Sequence, residues 1–290
     1  MSKTNHAKSG LAGSPKRARR LPSSSRLTIA VAVVLISVLA TQWTVRRADA
    51  AEKPASAKPA AKAADEAAKA KAAEKAKKPA KKKDPYAWKS MFDGKTLKGW
   101  KVPVFGGDGE VSVEDGAIKL AMGDPMTGIT FAGKLPTDNY EVAFEAKRTE
   151  GIDFFATTTF PIGKDAKGKP AFCSFVTGGW AGTVVGISCV DFYDASDNIT
   201  TQFMAFDDNK WYKFRIRVSQ PKLECWIGDE KMVDLPREKH QFDVRIEVDL
   251  CKPFGFSSYT TEGMIRKIRI RRLKPEEVAE IKKKMEEEKF

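Results

Sequence analysis

The segment "NYEVAFEAKR" alternates apolar and polar positions, setting Tyr140, Val142, Phe144 and Ala146 on one face and Glu141, Ala143, Glu145 and Lys147 on the other. A period of two marks a half-buried strand, because successive side chains of an extended chain point to opposite faces. The device recurs. "WYKFRIRVS" turns Tyr212, Phe214, Ile216 and Val218 inward, and "GMIRKIRIRRL" does so with Ile265, Ile268 and Ile270, its phase shifting within the run. "VSVEDGAIKL" and "LECWIGDEKMVDL" read as hairpins with Asp115-Gly116 and Gly228-Asp229 at their turns. Only "KPEEVAEIKKKMEEEKF" has helical spacing, with Pro275 and two glutamates in its first turn and Val278, Ile281 and Met285 along one stripe. These elements predict an all-β sandwich over residues 86–273 and a short C-terminal helix over 274–290.

Upstream the pattern is different. From Ala51 to Lys83 there is no aromatic residue and no aliphatic larger than Ala, so residues 51–85 cannot bury a core and read as a solvated linker. As a flexible coil it would span on the order of 30 Å. Before it, within residues 1–50, a basic segment precedes an apolar run from Leu27 to Ala40 broken only by Thr28 and Ser37, the pattern of an export signal. Ala48, Asp49 and Ala50 offer a small-x-small cleavage site; alternatively, extension through Val45 gives an apolar run over residues 27–45 long enough to anchor the chain in a membrane. Seven basic residues before Leu27 outnumber Arg46 and Arg47 after it, so both readings place the folded domain outside the cytoplasm, in a periplasmic or extracellular location.

Charge sharpens this division. The net charge of +13 belongs to the N-terminal part, where residues 1–85 hold 20 Lys and Arg against 6 Asp and Glu, leaving 31 against 32 beyond. A nearly neutral domain without a basic recognition motif argues against nucleic acid as a partner. The lysines of the linker favour an anionic envelope polymer or a membrane surface.

Candidate chemistry centres on "CVDFYDASDNITTQ", where Asp191, Asp194 and Asp197 are spaced by three. Three readings stay open: a turn capped by its own side chains, a calcium site of oxygen ligands, or a catalytic or sugar-binding site. Glycoside hydrolysis requires two carboxyl groups about 5 to 10 Å apart. The Glu141 and Glu145 pair, about 13 Å apart by strand rise, reads as part of a solvated face, or as the concave sugar platform that such a face can form in a jelly roll. Trp180, in the glycine-rich "VTGGWAGTVVG", is either a stacking platform for a sugar ring or a side chain folded over the sandwich edge. The only histidines are His6 and His240, which argues against a histidine metal cluster or a serine-histidine pair and leaves His240 as a surface residue. Cys173, Cys189, Cys225 and Cys251 lack zinc-site spacing. Export permits disulfides, with Cys173 paired to Cys189 if the intervening segment is a hairpin centred near Ala181 and Cys225 left for Cys251; buried free thiols are the alternative. The sequon at Asn198 reads as incidental.

The ordered segments "FDGKTLKGWK", "VEDGAIKL", "NYEVAFEAKR", "KWYKFRIRV", "LECWIGDEKMVD" and "GMIRKIRIRRL" resemble the 3-keto-disaccharide hydrolase family over about residues 88 to 273. The resemblance implies a concanavalin-like jelly roll of two antiparallel sheets, exported, with activity toward 3-keto glycosides in some members, and makes Phe92, Leu97 and Trp100 core residues. Two departures mark a divergent member. Many members read HWLNG where this chain has Cys225 to Asp229, and LQDHG where it has "GFSSYTTEG", so both family histidines are missing. By position, Asp194 falls where the family has an acidic residue after its central strand, Glu262 lies in the segment replacing a family histidine, and Trp226 and Tyr259 lie in the family's site region. Two functions follow: a hydrolase or lyase on modified disaccharides using Asp191, Asp194 and Glu262 with Trp180, Trp226 and Tyr259 against the saccharide, or a non-catalytic glycan-binding or envelope-attached module. No cofactor is expected beyond the calcium option.

Overall fold

The structure, a computed structural model, describes residues 84–288; the expected signal or anchor and nearly all of the Lys-rich linker lie outside the described residues. Among the described residues no helix is long and apolar enough to cross a membrane. The expected jelly-roll sandwich of two antiparallel sheets is what the chain forms. The first sheet runs in the order β13 (Glu230–Pro236), β12 (Lys222–Ile227), β11 (Tyr212–Val218), β6 (Tyr140–Gly151), β15 (Thr261–Arg272), β4 (Ala117–Leu120) and β3 (Val111–Glu114), with β1 (Lys89–Ser90) also pairing β15. The second runs β10 (Gln202–Phe203), β9 (Val184–Ser188), β8 (Pro170–Gly178), β7 (Thr157–Lys164), β14 (Gly255–Tyr259), β5 (Met126–Phe131) and β2 (Trp100–Lys101).

Register carries the inward residues of neighbouring strands opposite one another: Phe144 faces Phe214 and Val142 faces Ile216. The two phenylalanine rings stack at 5.0 Å, and Phe256 of the second sheet meets Phe144 edge-on at 4.9 Å, so aromatic contacts tie the layers together. The phase shift read in "IRKIRI" is a β-bulge: pairing with β6 slips between Arg266 and Arg269, and Lys267 takes a φ of 54°. The Asp115-Gly116 turn joins β3 to β4 with φ of 49° and 75°, the left-handed pair that a two-residue hairpin needs. In the opening motif the Asp93 carboxylate accepts N–H groups from Lys95 and Thr96, each at 2.8 Å, and Trp100 Nε1 donates to Met91 O at 2.9 Å. Phe92 and Trp100 are buried and Leu97 packs half-buried against them. The C-terminal helix, α1 (Pro275–Glu287), lays its half-buried Val278, Ile281 and Met285 toward the domain.

The outer faces of the sheets differ from the sequence expectation and from each other. Glu141 was expected on a solvated face, yet it is only 2 % exposed. The cause is register: Arg217 on β11 and Arg271 on β15 stand directly opposite it, and Arg215 (3.1 Å), Arg217 (3.6 Å) and Arg271 all converge on its carboxylate. Strand alternation gives the second sheet an outer face rich in hydroxyls, including Thr157, Thr159, Ser174, Ser188 and Ser257, all of them buried. A strap covers them. Cys189 N–H donates to Asp243 O at 2.6 Å, which brings the 3-10 turn Ile246–Cys251 across the sheet, and Thr130 Oγ1 donates to Leu250 O at 3.0 Å. Gly255 permits this approach, since a Cβ there would lie 2.8 Å from Cys251 O. Val244 and Val248 bury with Met126 among Phe105, Phe154 and Phe172, each aliphatic contributing about 1.5 to 3 kcal/mol.

All four cysteines are free thiols in the structure. The hairpin is centred as expected, since Ser174 pairs with Ser188. However, the backbone of Cys189 pairs with Asp243 and its Sγ turns to Asp194 Oδ1 at 3.6 Å, away from the interior where Cys173 is buried. Cys225 faces the interior between the sheets, opposite Ile216, whereas Cys251 lies on the outer side of the second sheet against Phe256 O, so a whole sheet separates the second proposed pair.

Candidate functional site

A cleft of about 270 Å³ opens beside the strap on the outer face of the second sheet. Its floor is made of hydroxyls from three adjacent strands: Thr157 on β7, Ser174 on β8 and Ser188 at the end of β9. Ser174 is engaged, 2.9 Å from Thr159 Oγ1. Thr157 Oγ1 is buried without any hydrogen-bond partner. Leaving a buried hydroxyl unpaired costs about 1 to 3 kcal/mol, a cost that a polar group reaching this atom from the cleft would relieve.

Phe154, Val176 and Val248 form the wall, and Trp180 (43 % exposed) and Tyr259 (37 % exposed) stand at the rim. Trp180 sits in the turn between β8 and β9 in a left-handed conformation, φ 49° and ψ 63°, followed by Ala181 at φ 64°. A bulky residue pays about 1 to 3 kcal/mol for that conformation, which persists only where its surroundings enforce it. Asp153 supplies the enforcement. Its Oδ2 accepts Ala181 N–H at 3.0 Å, its Oδ1 accepts Phe154 N–H at 2.8 Å, and its own N–H donates to Thr261 Oγ1 at 2.9 Å.

Arg245 closes the other side. Its Nε donates to Glu247 Oε2 at 3.1 Å, its Nη1 donates to Asp194, and its guanidinium lies 5.9 Å from the Trp180 ring centre. Arg245 holds the Glu247 carboxyl below the usual range, and in return Glu247 raises Arg245 further. Burial pushes the Cys189 thiol up, with Asp194 adding to the effect. Arg245 favours the ionised form of Glu247, the opposite of what a general acid requires, and Asp153 accepts one backbone N–H on each of its oxygens.

The sequence candidates divide between this cleft and other places. Trp180 and Tyr259 line it, and Asp194 stands directly behind it through Arg245. Asp194 is positioned by Asn198, whose amide donates to Ile187 O, Tyr193 O and Asp194 O, so the sequon asparagine is occupied in shaping the loop. Asp191 lies outside the lining; it accepts Gln241 N–H at 2.8 Å and meets His240 Nδ1 at 2.7 Å, and these contacts, the backbone one foremost, lower its pKa. His240 is therefore half-buried and paired rather than a bare surface residue. Asp197 offers its N–H to Asp194 O. The three aspartates thus serve separate partners, and among the described residues no group of three His, Cys, Asp or Glu side chains converges to hold a metal ion. Glu262 and Trp226 belong to the first sheet: Glu262 pairs with Lys119 at 3.3 Å and Thr149 Oγ1 at 2.9 Å, and Trp226, 7 % exposed, lies under Arg215 at 3.6 Å. Sequence reasoning missed Asp153, Thr157, Ser174, Ser188, Arg245 and Glu247. The available signal was the threonine run in "TTTF" and the serines of "FCSF" and "GIS", hydroxyl residues within otherwise apolar strands.

No curated protein sequence matches the chain. Among solved structures, domain 4 of an extracellular arabinanase from Geobacillus stearothermophilus, in complex with arabinotriose, aligns at 18 % identity over 67 % of this chain and 96 % of that one, with a TM-score of 0.41. A carbohydrate-binding module from Bacillus subtilis aligns at 12 % identity over 60 % and 95 %, TM-score 0.36. A structure described with endo-acting O-glycanases of the human gut microbiota aligns at 11 % identity over 66 % and 100 %, TM-score 0.46. The family model described as 3-keto-alpha-glucoside-1,2-lyase-like domain matches residues 87–271, most of the described chain and the whole of the sandwich from the opening motif to β15, and the chain belongs to that family.

Proposed function

We propose that this protein binds a single sugar ring in the cleft between Trp180 and Tyr259, as a glycan-binding domain. The observation that carries the reading is the unpartnered Thr157 hydroxyl on a floor of hydroxyls beneath an aromatic rim. A sugar ring has a polar edge and an apolar C–H face, which match that floor and the Trp180 and Tyr259 rings. The volume lies near the lower end for small-molecule sites, room for one ring rather than an extended chain. Calorimetric titration of the full chain with methyl glucoside, its 3-keto derivative and glucose, with product release followed in the same mixtures, tests it. Binding without turnover, lost in Trp180→Ala, is the expected result; absence of binding by every sugar overturns it.

A second reading has one specific observation in its favour: ionised Glu247 and the Arg245 guanidinium share the cleft. In a 3-keto glucoside, the proton on C2 is acidified by the neighbouring carbonyl. Glu247 would take it and, once neutral, loosen its hold on Arg245, whose released N–H groups would bind the enolate oxygen; collapse of the enolate would break the C1–O bond, the leaving alcohol being protonated by water. Turnover that vanishes in Glu247→Gln supports this elimination over simple binding.

Around either activity, we propose an exported domain, periplasmic or extracellular, tethered by the Lys-rich linker, whose charge adheres to anionic polymer or membrane surface. Release of the protein from cell envelopes by salt is the expected behaviour.

A further inference from the structure

The charge around the cleft carries a statement about which sugar it takes. Three charged side chains line it: Asp153, Glu247 and Arg245. The arginine brings no free positive charge, because Glu247 and Asp194 both hold it, and Arg148, on the far side of the Trp180 turn, is likewise held by Asp208 at 2.5 Å. The chain from residue 170 to 209 supplies Ser174, Ser188, the Trp180 turn and the Asp194 loop, and contains five aspartates and no Lys or Arg. An incoming carboxylate or sulfate would meet surplus negative charge and would have to displace Glu247 or Asp194 from Arg245. An ammonium meets attraction, while Thr157 Oγ1 and the aromatic rim take up the rest of the ring.

We infer that the cleft prefers an amine-bearing sugar ring and rejects a carboxylated or sulfated one, an inference that rests on the sugar-binding reading above. Near a protein surface one such charge contact at several Å is worth a factor on the order of 5 to 10 in affinity. The test is titration of the full chain at low ionic strength with glucosamine, glucose and glucuronate. Glucosamine is expected to bind roughly 5- to 10-fold tighter than glucose, and glucuronate weaker than glucose by a similar factor. Raising salt to about 0.5 M, where screening acts within a few Å, should bring glucosamine toward glucose and leave glucose unmoved. Glu247→Gln, checked by circular dichroism for an intact fold, should narrow the glucosamine-to-glucose ratio. Equal affinity for glucosamine and glucose, or tightest binding of glucuronate, overturns the inference while the sugar-binding reading stands; silence with all three sugars overturns both.

Discussion

On the first sheet the outer face buries Glu141 beneath three arginines from neighbouring strands, one of which, Arg215, also covers Trp226. On the second sheet the outer face buries Thr157 with nothing to answer its hydroxyl, next to Trp180 held in a strained turn and exposed to water. Both faces contain tryptophan, arginine and carboxylates. The difference lies in what is buried: the first face buries carboxylates, Glu141 and Glu224, that are paired with arginine or lysine, although Arg217 Nε has no partner there, whereas the second buries an unpaired hydroxyl beside an aromatic rim. Paired charges contribute to stability, whereas an unpaired hydroxyl gives up stability and gains the capacity to bind.

The largest effect that could break this contrast lies on the first face. Glu141→Ala removes the carboxylate on which three arginines converge, leaving Arg217 with Glu224, Arg271 with Glu277 and Arg215 with none, and should cost about 3 to 5 kcal/mol of unfolding free energy in urea, with sugar affinity per folded molecule unchanged. A loss below about 1 kcal/mol would mean that the arginines reach solvent and that Glu141 is not the centre of this face. Next come the two tryptophans as reciprocal tests. Trp226→Ala should lower stability by about 3 kcal/mol and spare binding; Trp180→Ala should weaken sugar binding by about tenfold or more with little change in urea midpoint. If both variants behave alike, the division of labour between faces is wrong. A smaller effect isolates one atom. Thr157→Val keeps the shape and removes the unanswered hydroxyl, so stability should hold or rise by up to about 1 kcal/mol while sugar affinity drops about 3- to 10-fold.

The smallest effect concerns acid. Arg245 depresses the Glu247 carboxyl in the folded state, so its contribution is fully present above its ordinary value of 4.5 and is lost as pH falls below that point through the lowered folded value. The urea midpoint should be steady between neutral pH and about 5 and fall below it, and Glu247→Gln should make that fall shallower. An unchanged acid slope in the variant would show that the Arg245 pair adds nothing to the cleft's rigidity.

Much of the sandwich was legible because its inward residues alternate strictly: the faces of β6 and β11, both hairpin turns and even the bulge at Lys267 follow from the spacing of apolar residues. The place of Trp180 in a turn was legible as well, from the glycines around it. What could not be read were relations between distant segments. Glu141 looks solvated until β11 and β15 arrive on either side with arginines in register. Asp153, Thr157, Ser174 and Glu247 come from separate elements, and only the strap held by Cys189 and Asp243 gathers them. Asp191 illustrates the reverse: in sequence it belongs to a promising acidic cluster, in space it is the peg that fastens His240 and Gln241.

The absence of Lys and Arg from residues 170–209, which supply the Trp180 turn and the Asp194 loop, also determines how the protein can be dissected. Trypsin cuts after Lys and Arg but not before proline, so Pro170 shields Lys169 and digestion should release one long peptide from Gly168 to Lys210. That peptide carries Trp180, Asp194 and only two of the four cysteines, Cys173 and Cys189. Its mass alone, with and without alkylation, would report whether those two thiols are free in the purified protein.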